Sequence, residues 1–366
     1  MLYIHMEMVT LFNFNTKCPP VLGIDISSTS IKIVEISGRA GHRIVEGYGY
    51  QMLPPSAVEG HTIKDIDIVS QTIKNVIERS RLKSKVAVLS VPDSLVISKV
   101  VQINEGLNDS EIEELVIMEA DKFIPFPIEE INIDFEIIGH SARNTAMLNV
   151  LIVASRSENV TTRIEAATRA GLQVKIMDVE SFAVERVCHI LLEHLLPQSV
   201  NKIIAVIDIG ALFANLYVLR NNEIIFTREE EFGGSHLTNA IEHHYNISHE
   251  EALRIEAQQP LPADYHEEII IPFIETLTLH VKRALQFFYS TSNYTTVDQI
   301  ILTGGVTKLP NLVQAIEQEI KIPTLAANPF SYLNLGRKIN AEYIANDAPF
   351  LMISCGLALR NIGKSL

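Results

Sequence analysis

The 366-residue chain has little cysteine and no excess of positive charge. Its three cysteines, Cys18, Cys188 and Cys355, stand far apart without a CxxC pair, which excludes a disulfide framework and a structural zinc site. HExxH is also absent, and the adjacent His243 and His244 would point about 100° apart on a helix, which disfavours a shared metal. The net charge of −14 and the pI near 5.3 argue against a nucleic-acid partner.

Long apolar runs are missing as well. Runs such as 147–154 and 203–209 stop well short of the ~20 residues that a membrane-spanning helix requires. The opening residues, MLYIHMEMVTLFNF, lack the basic region and the cleavage site of a secretory signal. With 47% hydrophobic and 20% charged residues the composition is that of a globular protein. We therefore expect a cytoplasmic protein that does not insert into a membrane by itself.

One hairpin pattern occurs twice in the chain. Residues 21–37 alternate in polarity around a polar turn, and 43–53 continues with β-branched and aromatic residues, which predicts three antiparallel strands. The same pattern returns at 203–228, where Asp208 lies 183 residues after Asp25 and the two patterns align without a gap. A duplication at half the chain length is too long for a solenoid and predicts two similar α/β lobes that face each other.

A different pattern separates the two hairpins. Residues 108–124 have the spacing of an amphipathic helix, Pro125 and Pro127 end it, and 157–171 predicts a second helix after two strands. Between the second hairpin and residue 290, the sequence predicts mainly helices. We therefore predict an N-terminal extension, a first lobe, an inserted subdomain and a second lobe with a helical part, at 1–20, 21–84 (completed by 176–200 and 345–366), 85–175 and 201–344 (helical at 233–296).

An acidic residue precedes each of the two polar turns. Asp25 ends a strand before a turn of small hydroxyl residues whose N–H groups suit an anion with hydrated Mg²⁺ nearby, and Lys32 could reach a phosphate. Alone, this arrangement is more typical of a turn-capping Asp. Its duplicate at Asp208 puts a second carboxylate on the other lobe, and two acids across a cleft favour a nucleotide with a divalent metal.

Two glycine pairs stand directly before helix patterns, at 233–234 and 304–305. Glycine lets the backbone approach a ligand closely, and a helix start offers free N–H groups. The simpler interpretation of either pair is a tight turn between strand and helix. Lys282 and Arg283, on the long helix predicted at 272–290, could stack on a base or pair with a phosphate, although such a pair is more often a solvated face.

Several segments together carry a family resemblance. GIDISSTSIKIVEIS, DVESFAVERV, VIDIGALFANLYVL, FGGSHLTNAI, LTGGVTKLPNL and CGLALR follow the order of the phosphate, connecting and adenosine motifs, and the chain resembles the actin-like ATPase superfamily over most of its length. The segment EADKFIPFPIEEINIDFEII at 119–138, with ANPF at 327–330 and DAPFLMISCGLALR at 347–360, is similar to the PilM family of type IV pilus assembly proteins.

The resemblance implies an α/β, actin-like (ribonuclease H-like) duplicated two-lobe fold with an inserted α+β subdomain, and ATP or ADP with Mg²⁺ in the cleft. Asp25 and Asp208 match the acids that hold Mg²⁺ through water, and Glu180 matches a connecting segment that orients water. The other implied nucleotide-binding residues are Ser27, Ser28, Thr29, Ser30 and Lys32 in the first phosphate loop, Gly210 and Ala211 in the second, Gly233, Gly234 and Thr238 near the ribose and phosphates, Lys282 and Arg283 on the adenosine helix, and Gly304, Gly305 and Val306 in the adenosine loop.

The second phosphate loop departs from the superfamily's pattern. Leu212, Phe213, Ala214 and Asn215 stand where relatives usually have small or hydroxyl residues. Bulky apolar side chains there would crowd the γ-phosphate or leave the attacking water unplaced. We therefore predict nucleotide binding with weak or no hydrolysis.

The resemblance also implies a partner. A PilM-like protein docks the N-terminal cytoplasmic tail of a PilN-like inner-membrane protein, works with other pilus assembly proteins in twitching motility, and sits peripherally at the inner membrane through its partner. The implied dock is the groove between the first lobe and the inserted subdomain, with Ile124, Phe126 and Ile128 as apolar contacts. For any one of these three residues, packing inside the subdomain is the simpler interpretation. Glu129 and Glu130 at the rim favour a partner that carries Arg or Lys.

Two alternatives within the superfamily stay open at this point. An FtsA-like division protein shares the inserted subdomain but normally ends in an amphipathic membrane helix, whereas this sequence ends at ALRNIGKSL after the last motif. A small-molecule kinase would need a polar substrate pocket with a positioned base between the lobes, and the sequence contains no separate motif for one.

Overall fold

The computed structural model describes residues 19–39, 41–141, 144–195, 201–257 and 261–360. Residues 1–18 of the predicted N-terminal extension lie outside the described residues, as do 361–366 of the predicted first lobe. Among the described residues, no helix is both long and apolar enough to span a membrane.

The elements follow one another in the predicted order. The first part of the chain contains β1 (Val21–Ile26), β2 (Ser30–Arg39), β3 (His42–Met52), β4 (Val58–Glu59), β5 (Thr62–Ile63), α1 (Ile66–Ser80), β6 (Val86–Val91), β7 (Val96–Asn104), α2 (Asp109–Asp121), β8 (Ile131–His140), β9 (Met147–Arg156), α3 (Ser157–Arg169), β10 (Gln173–Val179) and α4 (Glu180–Leu195). The second part contains β11 (Ile203–Ile209), β12 (Ala214–Arg220), β13 (Glu223–Glu230), α5 (Ser235–Tyr245), α6 (His249–Ala257), α7 (Ile271–Thr291), β14 (Gln299–Thr303), α8 (Leu312–Ile320), β15 (Thr324–Ala326), β16 (Asn334–Leu335), α9 (Ala341–Asp347) and α10 (Met352–Ala358).

Each lobe is built on its own sheet. In the described residues the first sheet has the strand order β10-β6-β1-β2-β3-β16 and the second the order β13-β12-β11-β14-β15. The predicted antiparallel triplets are confirmed: β1 pairs with β2 and β2 with β3, as β11 pairs with β12 and β12 with β13. The actin-like two-lobe prediction is therefore confirmed at the level of the sheets.

The inserted unit is smaller than the predicted range of 85–175. β6 pairs in parallel with β1, and β10 pairs in parallel with β6, so both ends of that range belong to the first sheet. Helix α3 also packs on the first lobe, against α1. The part with a sheet of its own runs from Val96 to Arg156, with the strand order β7-β9-β8 and helix α2. Parallel pairing between distant strands leaves no local signal, which is why the predicted boundaries are too wide.

The predicted end of the second lobe at residue 344 is also too late. Strand β16 pairs with β3 of the first lobe, with Asn334 opposite Ile44 and Leu335 opposite Val45. Ile344 on α9 belongs to the apolar core that the two lobes share. The chain therefore returns to the first lobe about ten residues earlier than predicted.

Three apolar layers stabilise the fold, and one of them joins the two lobes. One core lies between the first sheet and helices α1 and α3, another between the second sheet and helices α5, α7 and α8, and a third contains α4 and α10 between the two sheets. The middle layer is tight: a Cβ on Gly356 of α10 would lie 2.1 Å from the carbonyl oxygen of Ala183 on α4. Only glycine permits such close packing of the two helices.

The inserted unit has its own small core. Helix α2 begins with a capping box, because the Asn108 side chain accepts from the Glu111 N–H at 3.1 Å and the Glu111 carboxylate accepts from the Asn108 N–H at 2.8 Å. Its buried residues, among them Ile112 and Val116, pack on the three-stranded sheet. This confirms the predicted amphipathic helix.

Candidate functional site

The first polar turn is organised around Asp25. The Ser27 N–H donates to the Ser30 carbonyl at 3.0 Å, which closes the turn, and Ser28 and Thr29 form its partly exposed tip. Because Asp25 and Lys32 are directly opposite in the β1–β2 register, Lys32 Nζ donates to Asp25 Oδ2 at 2.8 Å.

The ion pair is buried and has one unused acceptor. Asp25 and Lys32 are 2% and 7% exposed, and Lys32 Nζ also donates to Ser27 Oγ at 3.1 Å. Asp25 Oδ1 is buried and has no hydrogen-bond partner among the described residues. Since a buried carboxylate oxygen without a donor is costly, this atom suits a ligand that brings a donor, such as a metal-bound water.

The second turn repeats the first with different side chains. The Gly210 N–H donates to the Phe213 carbonyl at 2.9 Å, at positions that correspond to Ser27 and Ser30. The residue opposite Asp208 is Asn215, so this carboxylate has no lysine beside it on its own hairpin. The pKa of Asp208 is raised to about 6. Burial is the main cause, Lys32 lowers the pKa and Asp25 raises it. The two hairpins therefore bring Asp25, Lys32 and Asp208 within electrostatic range across the cleft.

Two further acids lie beside this pair. Glu180, the first residue of α4, is 8% exposed, and burial followed by Asp25 and Asp93 holds its pKa well above the usual range. Asp93 follows β6, and burial raises its pKa to about 6. Arg163 on α3 is 2% exposed and lowers the pKa of Glu180, which identifies it as a positive charge next to the acids. The predicted catalytic candidate Glu180 thus sits in a buried acidic cluster.

The glycine turns of the second lobe pack on one another. The Gly234 N–H donates to the Gly210 carbonyl at 3.0 Å, and the Ser235 N–H donates to the Ala211 carbonyl at 2.8 Å. A Cβ on Gly233 would lie 2.5 Å from the Ala211 carbonyl oxygen, so no other residue fits there without displacing the loop. The structure thus brings the second phosphate loop and the start of α5 into direct contact.

The predicted adenosine loop lies next to these turns. A Cβ on Gly234 would lie 3.2 Å from a methyl group of Val306, and the Gly304 N–H donates to the Pro349 carbonyl at 2.9 Å. Gly305 faces the ring of Phe350. Val306 therefore brings this loop next to the helix start at Gly234.

Two predicted nucleotide contacts, Thr238 and Lys282, are engaged with protein groups. Thr238 is buried and donates to Glu256 Oε1 on α6 at 2.6 Å. Lys282 Nζ forms an ion pair with Glu319 on α8, and Arg283, the next residue of α7, is exposed. Their roles in nucleotide binding stay predictions.

Several side chains that sequence reasoning missed cross the cleft. The His61 ring stacks on Phe213 with 4.3 Å between ring centres, and His61 Nε2 lies 2.9 Å from Glu229 Oε2. Phe350 meets both lobes, because Lys32 Nζ lies 4.6 Å and Lys308 Nζ 5.7 Å from its ring centre. Phe213 of the second phosphate loop thus contacts the first lobe.

An apolar cavity of about 310 Å³ lies where the inserted unit meets the first lobe. Its lining includes the predicted contacts Ile124 and Phe126, together with Leu95, Ile97 and Ile131. The Arg156 guanidinium lies 5.4 Å from the centre of the Phe126 ring. Ile128 packs on the core of the inserted unit and is absent from the cavity lining within the described residues. Two of the three predicted apolar contacts thus line this groove.

No clear sequence pattern identifies Asp93 and Arg163 as part of the site. Asp93 stands in VPDS after a buried strand, and only the parallel pairing of β6 with β1 brings that strand end next to Asp25. Arg163 looks like one more polar residue on an amphipathic helix. An acid directly after a buried strand is the one sequence signal that could have pointed to Asp93.

Two sheets with matched acid-bearing hairpins, joined by packed helices and separated by a cleft, define the actin-like ATPase fold. The family model of the type IV pilus assembly protein PilM matches residues 23–362, and the chain belongs to that family.

Solved structures agree with the assignment. The structure of a PilM-PilN type IV pilus biogenesis complex is 25% identical, with 93% of this chain and 97% of that chain covered and a TM-score of 0.78. The ethanolamine utilization protein EutJ from Carboxydothermus hydrogenoformans is 18% identical, with 93% and 89% covered and a TM-score of 0.56, and shares the fold. The family assignment favours the pilus-assembly prediction over the division-protein and kinase alternatives.

Proposed function

We propose that this protein is a nucleotide-loaded adaptor of a type IV pilus assembly machine, which docks the N-terminal cytoplasmic tail of a PilN-like inner-membrane protein. The observation that carries the proposal is the cavity lined by Ile124 and Phe126, in a chain that matches a PilM-PilN complex over 93% of its length. In this role the protein lies at the cytoplasmic face of the inner membrane and is held there by its partner.

The cleft suits a nucleotide with Mg²⁺. Asp25 and Asp208 would hold the metal through water, since Asp25 Oδ1 is buried without a partner and Asp208 has no lysine opposite it. Bound Mg²⁺ would neutralise phosphate charge. Lys32 is positioned for a phosphate by Asp25 and Ser27, and the N–H groups at the Gly233–Gly234 turn lie beside the second phosphate loop.

Hydrolysis is expected to be weak. The raised pKa of Glu180 keeps a larger fraction of this carboxyl protonated than in water, and a protonated carboxyl cannot take a proton from an attacking water. Phe213 occupies the second phosphate loop and packs across the cleft on His61. Binding without efficient turnover suits an adaptor.

The groove suits an extended peptide with apolar anchors. Its lining is mostly aliphatic and aromatic, and such pockets take alternate side chains of a bound strand or tail. Glu129 and Glu130 are exposed on the turn that follows Phe126. They favour a tail that carries Arg or Lys, because opposite charges at a rim speed association and improve specificity.

The test compares two phenylalanines of the inserted unit. We expect Phe126→Ala to weaken binding of the cognate PilN-like tail peptide by about 2 kcal/mol, roughly 30-fold in Kd, with nucleotide affinity unchanged. The matched control is Phe135→Ala, which removes a partly buried ring from the same small core but not from the cavity lining. Isothermal titration calorimetry with both ligands measures the effect. A well-folded Phe126→Ala protein that binds the tail as tightly as wild type would exclude this groove as the dock.

A further inference from the structure

The short turn Asp93–Leu95 touches both proposed sites. At the cleft, Asp93 Oδ2 accepts from the Ser181 N–H at 3.1 Å, which holds Asp93 at the first turn of α4, beside Glu180. At the groove, the Leu95 carbonyl accepts from Ser155 Oγ at 2.7 Å, and Leu95 and Ser155 both line the cavity. A displacement of this turn would therefore change both sites.

The same turn is tied to the second lobe. Tyr217 Oη donates to Asp93 Oδ2 at 3.4 Å, and Ser94 Oγ donates to Glu229 Oε2 at 3.3 Å. Glu229 also holds His61 of the first lobe. These contacts span the two lobes, so their geometry depends on how far the cleft is closed.

A second connection runs through α3. Arg163, which faces the acidic cluster, donates to the His61 carbonyl at 2.8 Å and to the Asn159 carbonyl at 3.1 Å. Asn159 lies one helical turn before Arg163 and lines the groove cavity. The acids of the cleft and the wall of the groove thus share a buried arginine as well as a turn.

We infer that the Asp93–Leu95 turn is a positioning element that links tail binding in the groove to nucleotide binding in the cleft, a regulation that rests on the proposed function. The cavity exists in the conformation in which Ser94 and Asp93 contact the second lobe. A nucleotide held between Asp25 and Asp208 keeps the lobes together and so keeps the turn in this position. The linkage is therefore positive: each ligand strengthens the binding of the other.

The experiment measures a thermodynamic cycle on the full chain. The Kd of a fluorescent PilN-like tail peptide is determined with and without saturating Mg²⁺ and a non-hydrolysable ATP analogue, and the Kd of the analogue with and without saturating peptide. We expect both affinities to rise by the same factor, at least about fivefold, because linkage is reciprocal. In Glu229→Ala the factor falls towards one, since the contacts to Ser94 and His61 are lost.

The matched control is Glu231→Ala, which removes an exposed carboxylate two residues further along and should retain the wild-type factor. Ser94→Ala removes the same contact from the first lobe, and thermal melts check that each variant is folded. Independent affinities in the wild type, a tail weakened by nucleotide, or an unchanged factor in both Glu229→Ala and Ser94→Ala would overturn the linkage alone. Failure of either ligand to bind the wild type by itself would overturn the proposed function as well.

Discussion

The two hairpins share a backbone conformation at the turn but differ in the residue that stands opposite the acid. Ser27 and Ser30 close the first turn with the same hydrogen bond that Gly210 and Phe213 make in the second, at 3.0 and 2.9 Å. In the first hairpin a lysine stands opposite the acid, whereas in the second an asparagine does. The two turns thus share their closing hydrogen bond, but only the first acid has a positive charge opposite it on its own hairpin.

Because of this difference, the two hairpins contribute differently to stability and to ligand binding. The Asp25–Lys32 pair is complete within its own lobe, so it contributes to the stability of the empty protein as well as to a ligand site. Asp208 is half-buried without such a pair, and its raised pKa reflects the cost of ionising it there. A cation delivered with the nucleotide would remove that cost. The second hairpin therefore depends on the ligand more than the first does.

The largest expected effect breaks the first hairpin. Asp25→Ala should lower the free energy of unfolding by about 3–5 kcal/mol, because it leaves a buried lysine without its partner. It should also weaken Mg²⁺-nucleotide binding at least about tenfold. Asp208→Ala should weaken binding to a similar extent with little loss of stability. Chemical denaturation and calorimetry measure the two quantities separately.

The double variant Asp25→Ala with Lys32→Met sharpens this comparison. Removing both charges should restore part of the stability without restoring nucleotide binding. Equal stability losses for Asp25→Ala and Asp208→Ala would contradict the difference that we draw between the hairpins.

A smaller effect concerns pH and the second hairpin. The folded protein holds the Asp208 proton more tightly than the unfolded chain, since the pKa is about 6 rather than 3.8. The contribution of this group to stability is therefore present below pH 4 and is lost as the pH rises through 6. Asp208→Asn lacks this loss, so its stability relative to wild type should rise by roughly 2–3 kcal/mol between pH 4 and 7.

Urea denaturation at several pH values checks the prediction. The control is Asp121→Asn, at an exposed carboxylate near the end of α2, which should change little relative to wild type over the same range. A relative stability of Asp208→Asn that is flat between pH 4 and 7 would show that Asp208 ionises normally in the folded state.

The smallest expected effect concerns turnover. Leu212→Thr with Phe213→Ser gives the second turn the small hydroxyl residues that the first turn already has, and should raise ATP hydrolysis slightly or leave it unchanged. A steady-state phosphate-release assay measures it. Robust turnover by the wild type that is abolished by Asp25→Ala would contradict the prediction of weak hydrolysis.

Local patterns predicted the elements well and the boundaries between units less well. The amphipathic helix α2 and the two acid-bearing hairpins are encoded within short stretches, so their positions were confirmed. The limits of the inserted unit were too wide, because β6 and β10 look like any other strands until they pair with β1. Pairing over such distances depends on the packed whole.

The sequence by itself determined the two acid-bearing hairpins and the apolar segment around Phe126, because each of them rests on residues close together in the chain. Only the tertiary structure decided that Asp93 lies beside Glu180, that Arg163 faces the acids, and that Leu95 completes the groove. The physical reason is that these side chains meet through parallel strand pairing and helix packing. Such contacts join residues about a hundred positions apart, and no local pattern records them.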